Sequence, residues 1–197
     1  MSIWYGAHVA DESELRLCGD VAGKRVIELG LAPANNAPNS VTAAQAGAKA
    51  MALDPSDDAI ASVRAAAARA EVRVECHRGD LADLGFATSA SVDLVVASHT
   101  LATVDDLPRL LRQVHRVLKP GAPFVVAMQH PVAAMFGGQD HTATAAYGAA
   151  GMTFTELYMS FERSNFRLDV IHELGDQRVR EPLCPSVLVV RARKQGD

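Results

Sequence analysis

Apolar residues in this chain come in short bursts, and polar or alanine-rich stretches separate them. "KRVIELG", "AKAMALD", "EVRVEC", "SVDLVVAS" and "APFVVAMQ" have strand length and are rich in Val, Leu and Met. The second to fifth are apolar runs rather than strict alternations, as strands covered on both faces should be. Helical patterns lie between them. "DESELRLCG" predicts a short helix, with Asp11 and Glu14 at capping-box spacing and Gly19 as a stop. "SVTAAQAG" predicts a helix ended by Gly47, and Ser56 is placed to cap the alanine-rich "DDAIASVRAAAARA". Leu107, Leu110, Leu111, Val114, Val117 and Leu118 form one apolar helical face, with Pro108 in the first turn and "KPG" as the stop. "TFTELYMSFERS" predicts a last helix, with Thr153 and Glu156 at capping-box spacing. "FRLDVIHEL" and "PSVLVVRAR" are late strands with no room for a helix between them.

This alternation predicts an α/β fold: a doubly wound parallel sheet, with the last two strands antiparallel because no helical crossover joins them. Ligands of such sheets sit outside the carboxyl ends of the strands, near the topological switch. The residues just after each strand are therefore the ones to inspect.

Composition narrows the classes. The 197 residues suffice for one domain, and no repeat or linker divides it. A net charge of −4 argues against a dedicated nucleic-acid binder. Arg64, Arg69, Arg73 and Arg78 read as a solvated helix face and strand edge. The three cysteines, Cys18, Cys76 and Cys184, are widely spaced, which suits a reducing cytosol and offers no zinc spacing. No apolar run approaches a membrane span, and the first residues do not resemble a signal peptide. A cytoplasmic protein with no metal, no membrane contact and an undetermined oligomeric state is the expectation.

Distinct polar groups follow the strands in order: Glu28 and Gly30, then Asp54, then Gly79, Asp80 and Leu81, then Ser98 and His99, then Gln129, His130 and Pro131. An acid in the position of Asp54 can accept both ribose hydroxyl hydrogens of a nucleoside; Ser56 is available to cap the following helix instead. Asp80 suits either an adenine amino group, with Leu81 packing on the ring, or a simple turn.

With these residues in place, the chain resembles the class I S-adenosylmethionine-dependent methyltransferases, in particular their small-molecule branch. "GKRVIELG", "ALDPS", "GDLADLGF", "SVDLVVASHTLATVDDLPRLLRQVHRVLKPGAPFVV", "QHP" and "PSVLVVRARK" carry the likeness, which runs over nearly the whole chain. The resemblance implies a seven-stranded Rossmann-like sheet in the order 3-2-1-4-5-7-6 with strand 7 antiparallel, and S-adenosylmethionine as cofactor. It implies one domain over 1–197, with an N-terminal lead-in (1–24, containing "WYG") folded over the cofactor; the alanine- and glycine-rich loop over 132–152, where relatives often have a longer insertion, suits either a lid or a truncated pocket. By the same resemblance, Glu28 fixes the loop and the methionine amino group, Gly30 lets the backbone approach and Asp54 holds the ribose. Asp80 and Leu81 flank the adenine, and Ser98 lies beside the methionine portion. Tyr5, Ala32, Asn35, Asn36, Pro55 and His99 complete the expected lining.

The family's loop reads E-x-G-x-G-x-G, whereas this chain has Glu28, Gly30, Ala32 and Ala34. Where φ is positive, an alanine costs on the order of 1 kcal/mol or more. Pro33 removes a backbone donor, and Asn35 and Asn36 either restore amide donors or cap the next helix. Ala102 and Thr103 predict a smaller, less polar pocket wall than relatives have.

Methyl transfer from a sulfonium is an in-line displacement that chiefly needs alignment in a dry pocket. If the acceptor must lose a proton, His130 is the candidate base and His99 a second one, while His141 and Tyr147 lie in the lid segment. Two alternatives remain: a catalytically silent methyltransferase-like binding module, and an NAD-dependent oxidoreductase, since Asp54 suits that cofactor as well.

Overall fold

A computed structural model describes residues 2–32, 35, 37–136 and 142–196. The strands are β1 (Arg25–Leu29), β2 (Lys49–Asp54), β3 (Val74–Arg78), β4 (Leu94–Ser98), β5 (Pro123–Gln129), β6 (Phe166–Leu174) and β7 (Val187–Lys194). The helices are α1 (Glu12–Leu15), α2 (Asn39–Gln45), α3 (Asp57–Arg69), α4 (Leu107–Val117) and α5 (Phe154–Glu162). All seven strands form one sheet in the order β3-β2-β1-β4-β5-β7-β6. The pairs among β1 to β5 are parallel, and β7 runs antiparallel to both β5 and β6. This is the expected order and strand sense.

Helices cover both faces, and alternate residues of each strand divide between them. Ile27, Leu29, Met51, Leu53, Val95 and Val126 pack with Leu110, Leu111, Val114 and Val117 of α4 and with Leu157 and Phe161 of α5. On the other face Val26, Ala50, Leu94, Val96 and Val125 pack with Ala43 of α2 and with Ile3, Tyr5 and Leu17 of the N-terminal segment. Val41, Ala52, Val63, Ala66 and Ala67 close the space between α2 and α3.

The predicted caps at Ser56 and Thr153 are present: Ser56 accepts the Ala59 N–H, and Thr153 and Glu156 form a reciprocal capping box. Asp106, not anticipated, caps α4 by accepting the Arg109 N–H. Two elements differ from expectation. The first helix stops at Leu15, because Arg16 turns left-handed (φ 53°), well before Gly19. Asp11 caps it as predicted, through the Ser13 N–H at 2.8 Å, but the expected reciprocal partner Glu14 is not the acid that ties the segment together. That acid is Glu12, which accepts the N–H groups of Leu17 (2.9 Å) and Cys18 (2.7 Å). The third strand starts at Val74 rather than Glu71, since Glu71 takes φ 53° as α3 ends. None of its residues is fully buried: it is the sheet edge, not a strand covered on both faces.

Candidate functional site

The parallel strands deliver their final residues to one rim. At the end of β1, Glu28 is buried and points toward α2. It accepts the N–H of Asn39 (2.8 Å), the N–H of Ser40 (2.7 Å) and the Ser40 hydroxyl (2.6 Å). Pro38, the residue preceding α2, has no side-chain acceptor, so Glu28 supplies from the sheet what a local cap would otherwise supply. Burial pushes its carboxyl above the usual range, against the lowering effect of these donors.

Gly30 follows at φ 69°. A Cβ there would lie 2.6 Å from Cβ and Cγ2 of Thr100, whose hydroxyl donates to Leu29 O at 2.6 Å. The glycine is thus required by its backbone and by the close approach of the segment after β4. Asp54, at the end of β2, is buried. Its Oδ2 accepts the Leu31 N–H and its Oδ1 the Ser56 N–H, both at 2.8 Å. Ser56 still serves as the α3 cap, so Asp54 ties the loop after β1 to the start of α3.

Ala32 is buried and is not among the left-handed residues, so its methyl carries no positive-φ penalty. Asn35 accepts the Ala37 N–H through its side chain (3.1 Å), a local turn bond. Pro33, Ala34 and Asn36 lie outside the described residues, as does His141. A cavity of about 330 Å³ lies beside this loop, lined by Glu28, Leu31, Ala32, Asn35, Pro38 and Ser56 with residues of α3.

The N-terminal segment crosses the rim beside β4. Asn39 holds Trp4 at both backbone groups: its Oδ1 accepts the Trp4 N–H (2.8 Å) and its amide donates to Trp4 O (3.0 Å). The Ser98 hydroxyl also donates to Trp4 O at 3.0 Å. His99 Nε2 lies 2.8 Å from Tyr5 O; a carbonyl only accepts, so Nε2 carries the proton. The Trp4 and His99 rings are 5.5 Å apart. His99 has φ 59°, and its N–H donates to Ala127 O at 2.7 Å. Burial lowers its pKa, and the bond to Tyr5 only partly opposes this. A second cavity, about 180 Å³, is lined by His99, Ala102, Met128, Gln129, Pro131 and Met152, among others.

Several expected site residues have partners within the fold. The Tyr5 side chain is fully buried, its hydroxyl donating to Glu12 at 2.6 Å beside Cys18, and only its backbone reaches the rim. Burial pushes both the Tyr5 phenol and the Cys18 thiol up, so neither ionises near neutrality. Leu81 belongs to the core rather than to an open wall. Asp80 accepts the Ala82 N–H (2.9 Å) in the manner of a turn acid and lies 3.4 Å from Arg109. Pro55 is exposed. His130 is buried with both ring nitrogens engaged: Nδ1 accepts the Val132 N–H (3.2 Å) and Nε2 faces Glu173 at 2.9 Å. In this conformation neither nitrogen is free for an acceptor's proton, and the ring fastens the turn after β5 to β6. The Tyr147 hydroxyl accepts the Phe154 N–H (3.0 Å), so it supports the start of α5.

Three residues that organise the rim were missed by sequence reasoning: Trp4, Asn39 and Thr100. The "WYG" run marks this segment: Tyr5 reaches the rim through its carbonyl, and Trp4 through its backbone groups and its ring beside His99.

Comparison with known proteins bears on this arrangement. A family model described as a methyltransferase domain matches residues 31–126. No curated protein gives a significant match. Among solved structures, the chain is similar to an S-adenosylmethionine dependent methyltransferase from Mesorhizobium loti. The TM-score is 0.74 and identity 24%, over 91% of this chain and 95% of that one. It is also similar to one from Listeria monocytogenes, with TM-score 0.73 and 16% identity over 92% and 95%. A third similar structure concerns conversion of a disulfide bond into a thioacetal group during echinomycin biosynthesis. There the TM-score is 0.71 and identity 19%, over 99% of this chain and 85% of that one.

Proposed function

The chain carries a methyltransferase domain on the class I S-adenosylmethionine-dependent methyltransferase fold, and from that premise we propose that it transfers a methyl group to a small-molecule acceptor. The observation that carries this reading is the junction of Gly30, Leu31 and Asp54 at the carboxyl ends of β1 and β2. Each Asp54 oxygen accepts one amide hydrogen and keeps a lone pair for a ribose hydroxyl. Gly30 has the left-handed turn a cofactor loop needs, and Ala32 is accommodated without that geometry. The residues present therefore fit an adenosyl ligand.

When bound, the cofactor supplies an electrophilic methyl on a cationic sulfur. The remaining work falls to the chain. Asp54 and the loop after β1 hold and orient. In this reading Asp80 and Pro55 take the adenine end, and the described residues of the lead-in over 1–24 and of the lid segment over 132–152 serve to exclude water from the crevice. In this reading 1–197 is a single domain. The net charge of −4 and the small, weakly polar cavity beside His99 support a small acceptor rather than a nucleic acid, and a cytoplasmic setting suits the free cysteines.

One observation favours the silent-module alternative: the Ser98 hydroxyl is spent on Trp4 O and Asn39, not turned outward to a methionine portion. The methyltransferase domain match weighs against the nicotinamide alternative. Calorimetric titration of the folded chain with S-adenosylmethionine and S-adenosylhomocysteine separates the two remaining readings. Saturable binding of both supports the enzyme, and a flat titration moves the assignment to the silent module.

A further inference from the structure

His99 stands out from the other histidines at the rim. It is a non-glycine residue in the left-handed region, a conformation in which His is enriched but uncommon and which clusters at functional sites. Two bonds fix it there: its backbone N–H on Ala127 O and its Nε2–H on Tyr5 O. Gly6 allows the second, because a Cβ at that position would lie 3.3 Å from Nε2 and 2.9 Å from Val187. With Nε2 protonated, Nδ1 holds the lone pair. Among the described residues Nδ1 has no hydrogen-bond partner, and it is not sealed from solvent. His99 is one of the residues that line the 180 Å³ cavity, together with Ala102, Met128, Gln129, Pro131 and Met152 among others. Among the described residues His99 and Gln129 are the polar side chains of that lining, and none of the described lining residues is Asp, Glu, Lys or Arg. The volume equals about six water molecules, below the range of ordinary drug-sized sites.

We propose that His99 Nδ1 is the general base of this enzyme and that its acceptor is a small uncharged molecule bearing a hydroxyl, of about the size of phenol. This rests on the methyltransferase reading above. The acceptor oxygen forms a bond to the methyl carbon of the sulfonium donor. The carbon–sulfur bond breaks with its electron pair returning to sulfur, and the hydroxyl proton moves to Nδ1. The resulting imidazolium keeps Nε2–H on Tyr5 O and later returns its extra proton to water. A charged acceptor is disfavoured because the described lining of the cavity offers no counter-charge to offset its desolvation. Burial disfavours the charged imidazole, which keeps a lone pair to accept a proton, and the bond to the Tyr5 carbonyl opposes this only in part; Trp4, Tyr5 and Gly6 lie against the ring, and none of them is charged.

The test uses the full chain with 15N-labelled histidine, assigned with His99→Asn, since Asn also tolerates left-handed geometry. In the wild-type protein at neutral pH, His99 should show a protonated Nε2 and an unprotonated Nδ1; the opposite tautomer, or a protonated ring, overturns the proposal. With S-adenosylhomocysteine present, phenol should perturb the His99 resonances, and 4-hydroxybenzoate and tyramine should do so at least about 10-fold more weakly. No response to phenol, or an equal response to a charged probe, overturns the acceptor class. With S-adenosylmethionine and phenol, His99→Asn should lower kcat about 100-fold or more with little change in KM, and should remove the acid limb of the pH profile. Unchanged kcat overturns the base. Calorimetric binding of S-adenosylmethionine to both proteins keeps these outcomes apart from a failure of the methyltransferase reading, which would show as no cofactor binding in either.

Discussion

Asp54 illustrates how much of one residue can be read before its neighbours are seen. Its place at the end of the second strand already suggested a ribose acceptor, and the structure adds that the same carboxylate holds the Leu31 amide and hence the loop after β1. Asp54→Ala should therefore weaken S-adenosylhomocysteine binding about 10- to 100-fold, as expected for loss of charged hydrogen bonds. Titration calorimetry reads this directly, and unchanged affinity removes Asp54 from the site. The capping roles of Ser56, Thr153 and Glu156 were equally legible, because caps depend on residues three positions apart. Side-chain direction in an irregular segment was not. Tyr5 and Trp4 are adjacent, and nothing in their spacing says which ring enters the core; the partners Glu12 and Asn39 decide it. Leu81, expected beside an adenine ring, belongs to the core cluster that also holds Met51 and Leu53, a placement no local spacing announces. His130 and His99 both follow strands, and their chemistry separates only through their tertiary partners, Glu173 and Val132 for one and Tyr5 O for the other.

At the scale of elements, hydrophobic period fixed most strands and helices, since each apolar run had one possible buried arrangement. The bounds and one-sided cover of the edge strand β3 differed because it alternates charge with partial burial, and the end of α1 differed because the helix is four residues long and the segment is held by Glu12 rather than by its own pattern. α2 depends in the same way on a residue from outside it. Glu28→Ala leaves two buried backbone donors and one hydroxyl unpaired, and should destabilise the protein by about 3 kcal/mol or more. Denaturant unfolding measures that loss, and amide exchange should place it first in α2. The last two strands are clamped by Asp169, which receives Arg191 through two bonds and Arg193 at 2.6 Å. Burial raises the Asp169 carboxyl, but the guanidinium bonds outweigh this and hold it below its ordinary 3.8. A depressed carboxyl stabilises the fold above its unfolded pKa and ceases to do so as pH falls through the folded value. Melting curves of wild type and Asp169→Asn should accordingly differ at neutral pH and converge as pH drops below 3.8.

For the whole molecule, alternation of strand and helix was enough to predict a doubly wound sheet, and the missing crossover before the final strand predicted its reversal. The exact strand order came from the resemblance, because local patterns do not say which strands neighbour each other. A ligand that binds only the folded state stabilises it by mass action, about 2.7 kcal/mol at a hundredfold excess over Kd. In a chain of this size that corresponds to a rise in Tm of roughly 5 to 10 °C. S-adenosylhomocysteine should produce such a shift in a thermal scan, with the gain smaller in Asp54→Ala at equal ligand concentration.

The position of β7 between β5 and β6 has a consequence for synthesis. A ribosome that has delivered residues 1–186 has released six strands, yet only five of them can join a sheet, because β6 reaches the others solely through β7. Until Val187–Lys194 emerges, β5 presents an unpaired edge and β6 has no partner. The nascent protein is then at its most vulnerable to misassembly, and the step that ends this state seats one strand between two waiting neighbours.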